Sequence, residues 1–334
     1  MNTLIPLLRQ SIDYAGLFPP ASLSLSETVE NYRLHRNSTA SLMLSRLVIP
    51  VSKLAELGQT VESQSRKESQ SPVPQPTQAG SVWPIAALLN PILQPTDRLL
   101  LKQALETIRA FNQQFDRHPQ QPLKVDSLEF RFNFSAIPLP ELYGLVQAFR
   151  CYLEIDCLSD PEPAIAAISR LNSEIAGGFS DGSSFPLSAK IRTGSTQADQ
   201  IPSSAAVARF IDGCRRHQVS FKATAGLHHP LRGEYPLTYE ADAPMGMMHG
   251  YLNVFVGTML SLRHGIDQNQ LVQVLEEREG QQFLFDQRGL HWRGLIVESE
   301  IIEQLRGQGI HSFGSCSFEE PAAELAAGFT NIFR

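Results

Sequence analysis

The sequence predicts a (β/α)8 barrel of the TIM type, an α/β fold in a single domain spanning 1–334, with a disordered insertion at 62–81 and a peripheral β-hairpin at 280–294. Three observations predict it. Short apolar runs alternate with longer amphipathic ones from end to end, as parallel βα units do. The short runs number eight. In four consecutive ones every second residue is polar or charged, which a sheet covered by helices on both faces does not tolerate.

The candidate strands lie at 13–18, 46–51, 84–89, 127–133, 151–157, 187–193, 220–225 and 309–314. Helical periodicity falls between them at 95–114, 161–175, 203–217 and 298–306. The first is the clearest, with Leu99, Leu101, Ala104, Leu105, Ile108 and Phe111 near helical spacing. The 62–81 stretch is rich in Ser, Gln and Pro and has almost nothing apolar to bury, so it is expected to be a mobile surface insertion. From 283 to 292 large apolar residues alternate around Gln287-Arg288-Gly289, as in a hairpin decorating the barrel.

Parity then places charges. Alternate side chains of a strand face opposite ways, so Glu129 and Arg131 share a face opposite Leu128, Phe130 and Phe132. Likewise Glu154 and Asp156 oppose Leu153 and Ile155, Lys190 and Arg192 oppose Ile191, and Lys222 and Thr224 oppose Ala223. A closed barrel reconciles the pattern, because helices cover the apolar outside while the charges meet inside. So many buried charges cost more than an apolar plug would, which points to a wet, functional cavity.

Composition narrows the partners. With 28 Lys plus Arg against 34 Asp plus Glu, a net charge of −6 gives no reason to expect nucleic acid or an anionic membrane as partner. Four widely spaced cysteines without a C-x-x-C pair favour free thiols in a reducing compartment. The longest apolar stretch, 251–262, is broken by Asn253 and falls short of a membrane span, and the first residues lack the pattern of a secretory signal. The expectation is a soluble, cytoplasmic protein, with an oligomer left open.

Lys190-Ile191-Arg192-Thr193-Gly194 and Lys222-Ala223-Thr224-Ala225-Gly226 end successive strands, one repeat of 32 residues apart from 190 to 222. Neighbouring strands are about 4.8 Å apart, so the two ammonium groups share a pocket. Like charges disfavour protonation, and a lysine with a lowered pKa is what imine chemistry needs. The motif Lys190-x-x-Thr193-Gly194 followed by Lys222-Ala223-x-x-Gly226 resembles the paired-lysine signature of the deoxyribose-phosphate aldolase group of class I aldolases. The resemblance covers about 40 residues. It implies an α/β barrel in which Lys190 is the Schiff-base lysine and Lys222 the lysine that tunes it. Arg192 departs from that pattern, as does Leu227-His228-His229-Pro230 where glycine and a basic residue would follow.

The connection after Gly226 runs to about residue 250, long enough to act as a lid or binding loop. It carries His228 and His229, candidates for acid–base work of which one is expected to enter the site, together with Arg232 and Tyr235. Gly314 and Ser315, before a helix beginning near Glu319, could cradle a phosphate or carboxylate. Asp13 and Tyr14 could supply a proton or a hydrogen bond but are explained equally well by capping and turn formation, and Cys316, with no paired base visible in the sequence, reads as an inert thiol.

The reading that unites these residues is a cofactor-independent Schiff-base lyase acting on a small anionic carbonyl metabolite. Lys190 forms the imine, Glu129, Glu154 or Asp156 move protons, and Arg131, Arg192, Thr224 and Arg232 bind substrate. The alternatives are a divalent metal held by His228 or His229 with Glu129, Glu154 and Asp156, and a non-catalytic barrel that binds a metabolite or a protein.

Overall fold

In the computed structural model of the chain, which describes residues 3–69, 81–89, 98–118, 121–131, 139–178 and 184–329, eight parallel strands close into a barrel. The first seven are β1 (Ile12–Tyr14), β2 (Leu44–Pro50), β3 (Trp83–Leu88), β4 (Leu123–Arg131), β5 (Arg150–Ile155), β6 (Ser188–Arg192) and β7 (Phe221–Thr224). Then β8 (Gly233–Pro236) and β9 (Met245–Met248) form an antiparallel ribbon, and β10 (Leu284–Phe285), β11 (Gly289–Trp292) and β12 (Leu295–Glu298) form a three-stranded antiparallel sheet. The last barrel strand, β13 (Ile310–Ser315), closes the ring between β7 and β1. Each predicted strand overlaps one of the eight. The main differences are β1, which ends at Tyr14 and not at 18, and β4, which starts at Leu123; the last two residues predicted for β4, 132–133, lie outside the described residues.

The helices cover the barrel through one apolar face each. The helix Arg98–Phe115 buries Leu101, Ile108, Phe111 and Phe115 while Leu99 and Leu100 stay exposed. Its Asn112 clamps the start of β4, donating to the Val125 carbonyl at 2.9 Å and accepting from the Val125 amide at 2.8 Å. Asn172, on the helix Glu162–Gly178, does the same for Leu187 just before β6. These clamps satisfy strand-edge groups that would otherwise be buried unpaired. The longest apolar stretch is the helix Tyr251–His264, whose residues from Tyr251 to Ser261 are all buried. Among the described residues no helix is long and apolar enough to cross a membrane.

Two decorations differ from the sequence expectation. Residues 62–69 of the expected insertion are the end of the helix Leu54–Ser69. Glu, Gln, Lys and Arg form helices readily, the first proline comes only at Pro72, and Leu54, Leu57, Val61 and Ser65 give a continuous buried stripe. Residues 70–80 lie outside the described residues. The hairpin near 280–294 gains a third strand, β12, because Arg293 and Gly294 turn with positive φ and Leu295–Glu298 pairs back onto β11.

Candidate active site

Register turns parity into one charged layer. Across four adjacent strands Arg131 pairs with Glu154, Glu154 with Lys190, and Lys190 with Lys222. Their side chains line a cavity of about 920 Å3, joined by Glu129 from one step deeper in β4 and by Arg192 at the rim. Lys190, Lys222 and Glu129 are almost wholly buried, whereas Arg131 and Arg192 are exposed.

Every deep charge has an opposite partner. Glu129 bridges the two lysines, with Oε2 at 2.8 Å from Lys190 Nζ and Oε1 at 2.6 Å from Lys222 Nζ. Lys190 also meets Glu154 Oε2 at 3.0 Å, and Glu154 in turn lies 3.6 Å from Arg131. Lys222 is held on its other side by a short ion pair with Asp13, whose carboxylate also accepts from Ser312 Oγ at 2.6 Å and from the Arg46 amide at 3.1 Å. The Tyr152 ring lies 5.3 Å from Lys222 Nζ and contributes a cation–π contact.

These contacts set the protonation states. Burial alone would raise the Glu129 carboxyl, but Lys190 and Lys222 outweigh it and hold the group at about 2. Asp13 and Glu154 are lowered in the same way, against burial, chiefly by Lys222 and by Lys190 respectively. For Lys222 burial acts downward, yet Asp13 and Glu129 win and its pKa rises. The expectation that mutual repulsion loosens a proton therefore fails at Lys222, because a carboxylate sits between the two ammonium groups.

Several sequence-predicted residues sit elsewhere. β5 ends at Ile155, so Asp156 leaves the strand alternation; it is exposed and accepts from the Leu158 amide at 3.0 Å in a turn. Arg232 lies outside the cavity lining and donates to His249 Nδ1 at 3.1 Å. Thr224 and Gly314 do line the cavity and touch each other, since a Cβ on Gly314 would stand 3.0 Å from Thr224 Oγ1. Ser315 is turned away, its Oγ accepting from the Ser317 amide at 3.4 Å. The helix Glu319–Gly328 that follows carries Glu319 and Glu320 in its first turn, so its N-terminus is already met by acidic groups and is a poor anion cradle.

At the mouth, the 225–250 connection folds back as the β8–β9 ribbon and brings both histidines to the cavity. His228 Nδ1 lies 2.9 Å from Glu320 Oε2, and His229 Nδ1 lies 2.8 Å from Glu324 Oε1 while its ring stacks on Tyr235 at 3.5 Å. Both enter because Glu320 and Glu324 are one turn apart on the same helix and receive one histidine each. The metal set expected from the sequence does not assemble: Glu129 and Glu154 hold lysines and Asp156 faces away. The trio His229, Glu320 and Glu324 brings one donor atom each within 4.8 Å of one another, with Glu320 also held by His228 and Glu324 by His229.

The sequence offers Asp13 a site role only on a par with capping or turn formation and gives no signal for Arg46 or Ser312. The signal for Asp13 was an acidic residue between Ile12 and Tyr14 in a strand buried at every position. Arg46 supports it from β2, pinned by a bidentate bond to Asp126 at 2.7 Å through both Nε and Nη2. No protein-family model and no curated protein matches the chain.

Proposed function

We infer that this protein is a lysine-dependent lyase acting on a small anionic aldehyde or ketone. The observation that carries the reading is the asymmetry of the two lysines around Glu129. Lys222 is closed in on both sides, its partners Asp13 and Glu129 being only 1% and 3% exposed. Lys190 stands at the cavity between Glu129 and Glu154, and Glu154 is the more exposed of the two, with 14% of its side chain accessible against 3% for Glu129.

In this reading Lys190 Nζ gives its proton to Glu154 and attacks the carbonyl carbon. The nitrogen passes one proton to the carbinolamine oxygen and Glu154 returns the one it took, so the oxygen leaves as water and the resulting iminium keeps the positive charge that Glu129 and the restored Glu154 carboxylate neutralise. Charge is thus conserved in the buried layer through the covalent cycle. Arg131 and Arg192, at the rim, bind the carboxylate or phosphate of the substrate through paired N–H donors. Asp156 has no part in proton transfer, and Glu154 takes the role.

Borohydride reduction in the presence of pyruvate, glyoxylate, glycolaldehyde and glyceraldehyde 3-phosphate, followed by peptide mass analysis, tests the proposal. A stable adduct on Lys190, absent in Lys190→Met, is expected with at least one of them. A layer whose deep charges are all paired is also what a non-catalytic binding barrel would keep, and failure to label any lysine across the panel would favour that second reading.

A further inference from the structure

A second group of reactive side chains lines the same cavity and takes no part in the lysine chemistry. Cys316 immediately follows β13, and its sulfur lies 3.7 Å from His228 Nε2. The opposite ring nitrogen of His228 is held by Glu320 Oε2 at 2.9 Å. Tyr239 completes the group, with its hydroxyl 3.8 Å from the sulfur and 3.2 Å from Glu320 Oε2. All four line the cavity. A nucleophile, a base and a residue that orients the base, each within contact of the next, is the arrangement that activates thiols in unrelated enzymes.

We propose that Cys316, His228 and Glu320 form a second covalent centre, at which the Cys316 sulfur adds reversibly to the carbonyl carbon of a small anionic aldehyde. His228 with two N–H groups donates one to Glu320 and the other to the sulfur. As the C–S bond forms and the carbonyl π bond opens, the aldehyde oxygen takes the proton from His228 Nε2, giving a hemithioacetal and a neutral imidazole. The reverse step returns the proton, so no oxidant or second substrate is needed. The anionic preference comes from Arg131 on β4, across the barrel from β13, and Arg192 on β6, two strands away from it. The proposal depends on the cavity and not on imine formation.

The groups facing the sulfur and the ring are Tyr14 from β1, Tyr239 and His229 from the 225–250 connection, and Glu320 from the following helix. Burial acts downward on His228, but Cys316 and Glu320 prevail and raise it to about 9, consistent with a ring that stays protonated beside the sulfur. The other thiols serve as internal controls: burial pushes Cys151 up to about 12 and Cys157 up to about 11, and raises Cys214 as well.

Iodoacetate labelling of the full chain, read peptide by peptide, tests the thiol. Cys316 is expected to react selectively, at a rate that changes less than about twofold between pH 8 and pH 6. In His228→Gln the same rate should fall about a hundredfold over that range, as for a thiol with an ordinary pKa near 8.5. A hundredfold fall in the native protein, or no labelling of Cys316, overturns the activated thiol without any variant being needed. Carbon-13 glyoxylate tests the adduct, with a hemithioacetal resonance expected in the native protein and lost in Cys316→Ser. Its absence overturns aldehyde capture. An imine on Lys190 is trapped by borohydride and a hemithioacetal is not, so the two centres can fail independently.

Discussion

The two lysines look equivalent in the sequence and each meets two carboxylates, but the second partner of Lys222 is the deeply buried Asp13 and that of Lys190 the more exposed Glu154, so single substitutions should separate them. Replacing Lys222 by Met leaves Asp13 buried without its cation, while Glu129 keeps Lys190, a loss of about 3–5 kcal/mol by the usual cost of stranding a buried charge. Replacing Lys190 by Met is milder, roughly 1–2 kcal/mol, because Glu129 keeps Lys222 and Glu154 keeps Arg131. Urea midpoints at unchanged m-value would show it. Equal losses would mean that Lys222 is not the anchor. The sequence could show that Lys190 and Lys222 share a face, since parity needs only the strand. It could not show the carboxylate on the far side of Lys222: Asp13 comes from a strand of three residues, too short for alternation to declare a face, and reaches Lys222 only through barrel closure.

At the scale of strands, the glycines that end β6 and β7 set how closely those ends approach. A Cβ on Gly226 would lie 2.6 Å from the Gly194 Cα, and Gly226 itself has φ of +71°. Thr193 adds a hydroxyl bond to the Ala225 carbonyl at 2.7 Å across the same junction. Gly226→Ala should therefore cost on the order of 2–4 kcal/mol and spread the strand ends that carry both lysines. Gly144→Ala, in the exposed interior of the helix Leu139–Ala148 with nothing near its Cβ, should instead gain about 0.5–1 kcal/mol. Thermal midpoints of both variants check the contrast, and a neutral Gly226→Ala would remove the close-approach argument. Strands and their inward residues were legible because alternation is local. Asp156 was misplaced because parity was carried past Ile155, where β5 stops. The partners of His228 and His229 were illegible because Glu320 and Glu324 lie more than 90 residues away, beyond the ribbon and the three-stranded sheet.

For the whole molecule, titrating groups buried in different places combine into one pH profile of stability. His35, His249 and His311 are each held down to about 4 by burial. His249 donates to the Pro202 carbonyl at 2.8 Å and accepts from Arg232, while His311 sits between the Tyr152 hydroxyl at 2.9 Å and the Gly307 carbonyl at 3.0 Å. A group whose folded pKa is depressed stabilises fully above its unfolded value, near 6.5 for histidine, and loses that contribution as the pH falls through the folded value. Stability should thus decline from about pH 6.5 towards 4 with up to three protons taken up on unfolding, each worth about 1.4 kcal/mol per pH unit. Below about 4.3 the lowered carboxyls Asp13, Glu129 and Glu154 extend the decline, with Glu129 resisting to about 2. On the other side His228, raised to about 9, stabilises fully below 6.5 and loses its contribution between there and 9. Lys222, raised above its ordinary value, keeps its own contribution until more alkaline pH. The expected profile peaks near pH 6.5, with a shallow basic limb from one proton and a steeper acid limb from three. Urea midpoints from pH 4 to 9 at constant ionic strength measure it. Glu320→Gln should flatten the basic limb alone, and a level profile from pH 8 to 5 would show that the buried histidines take up protons without opening the fold.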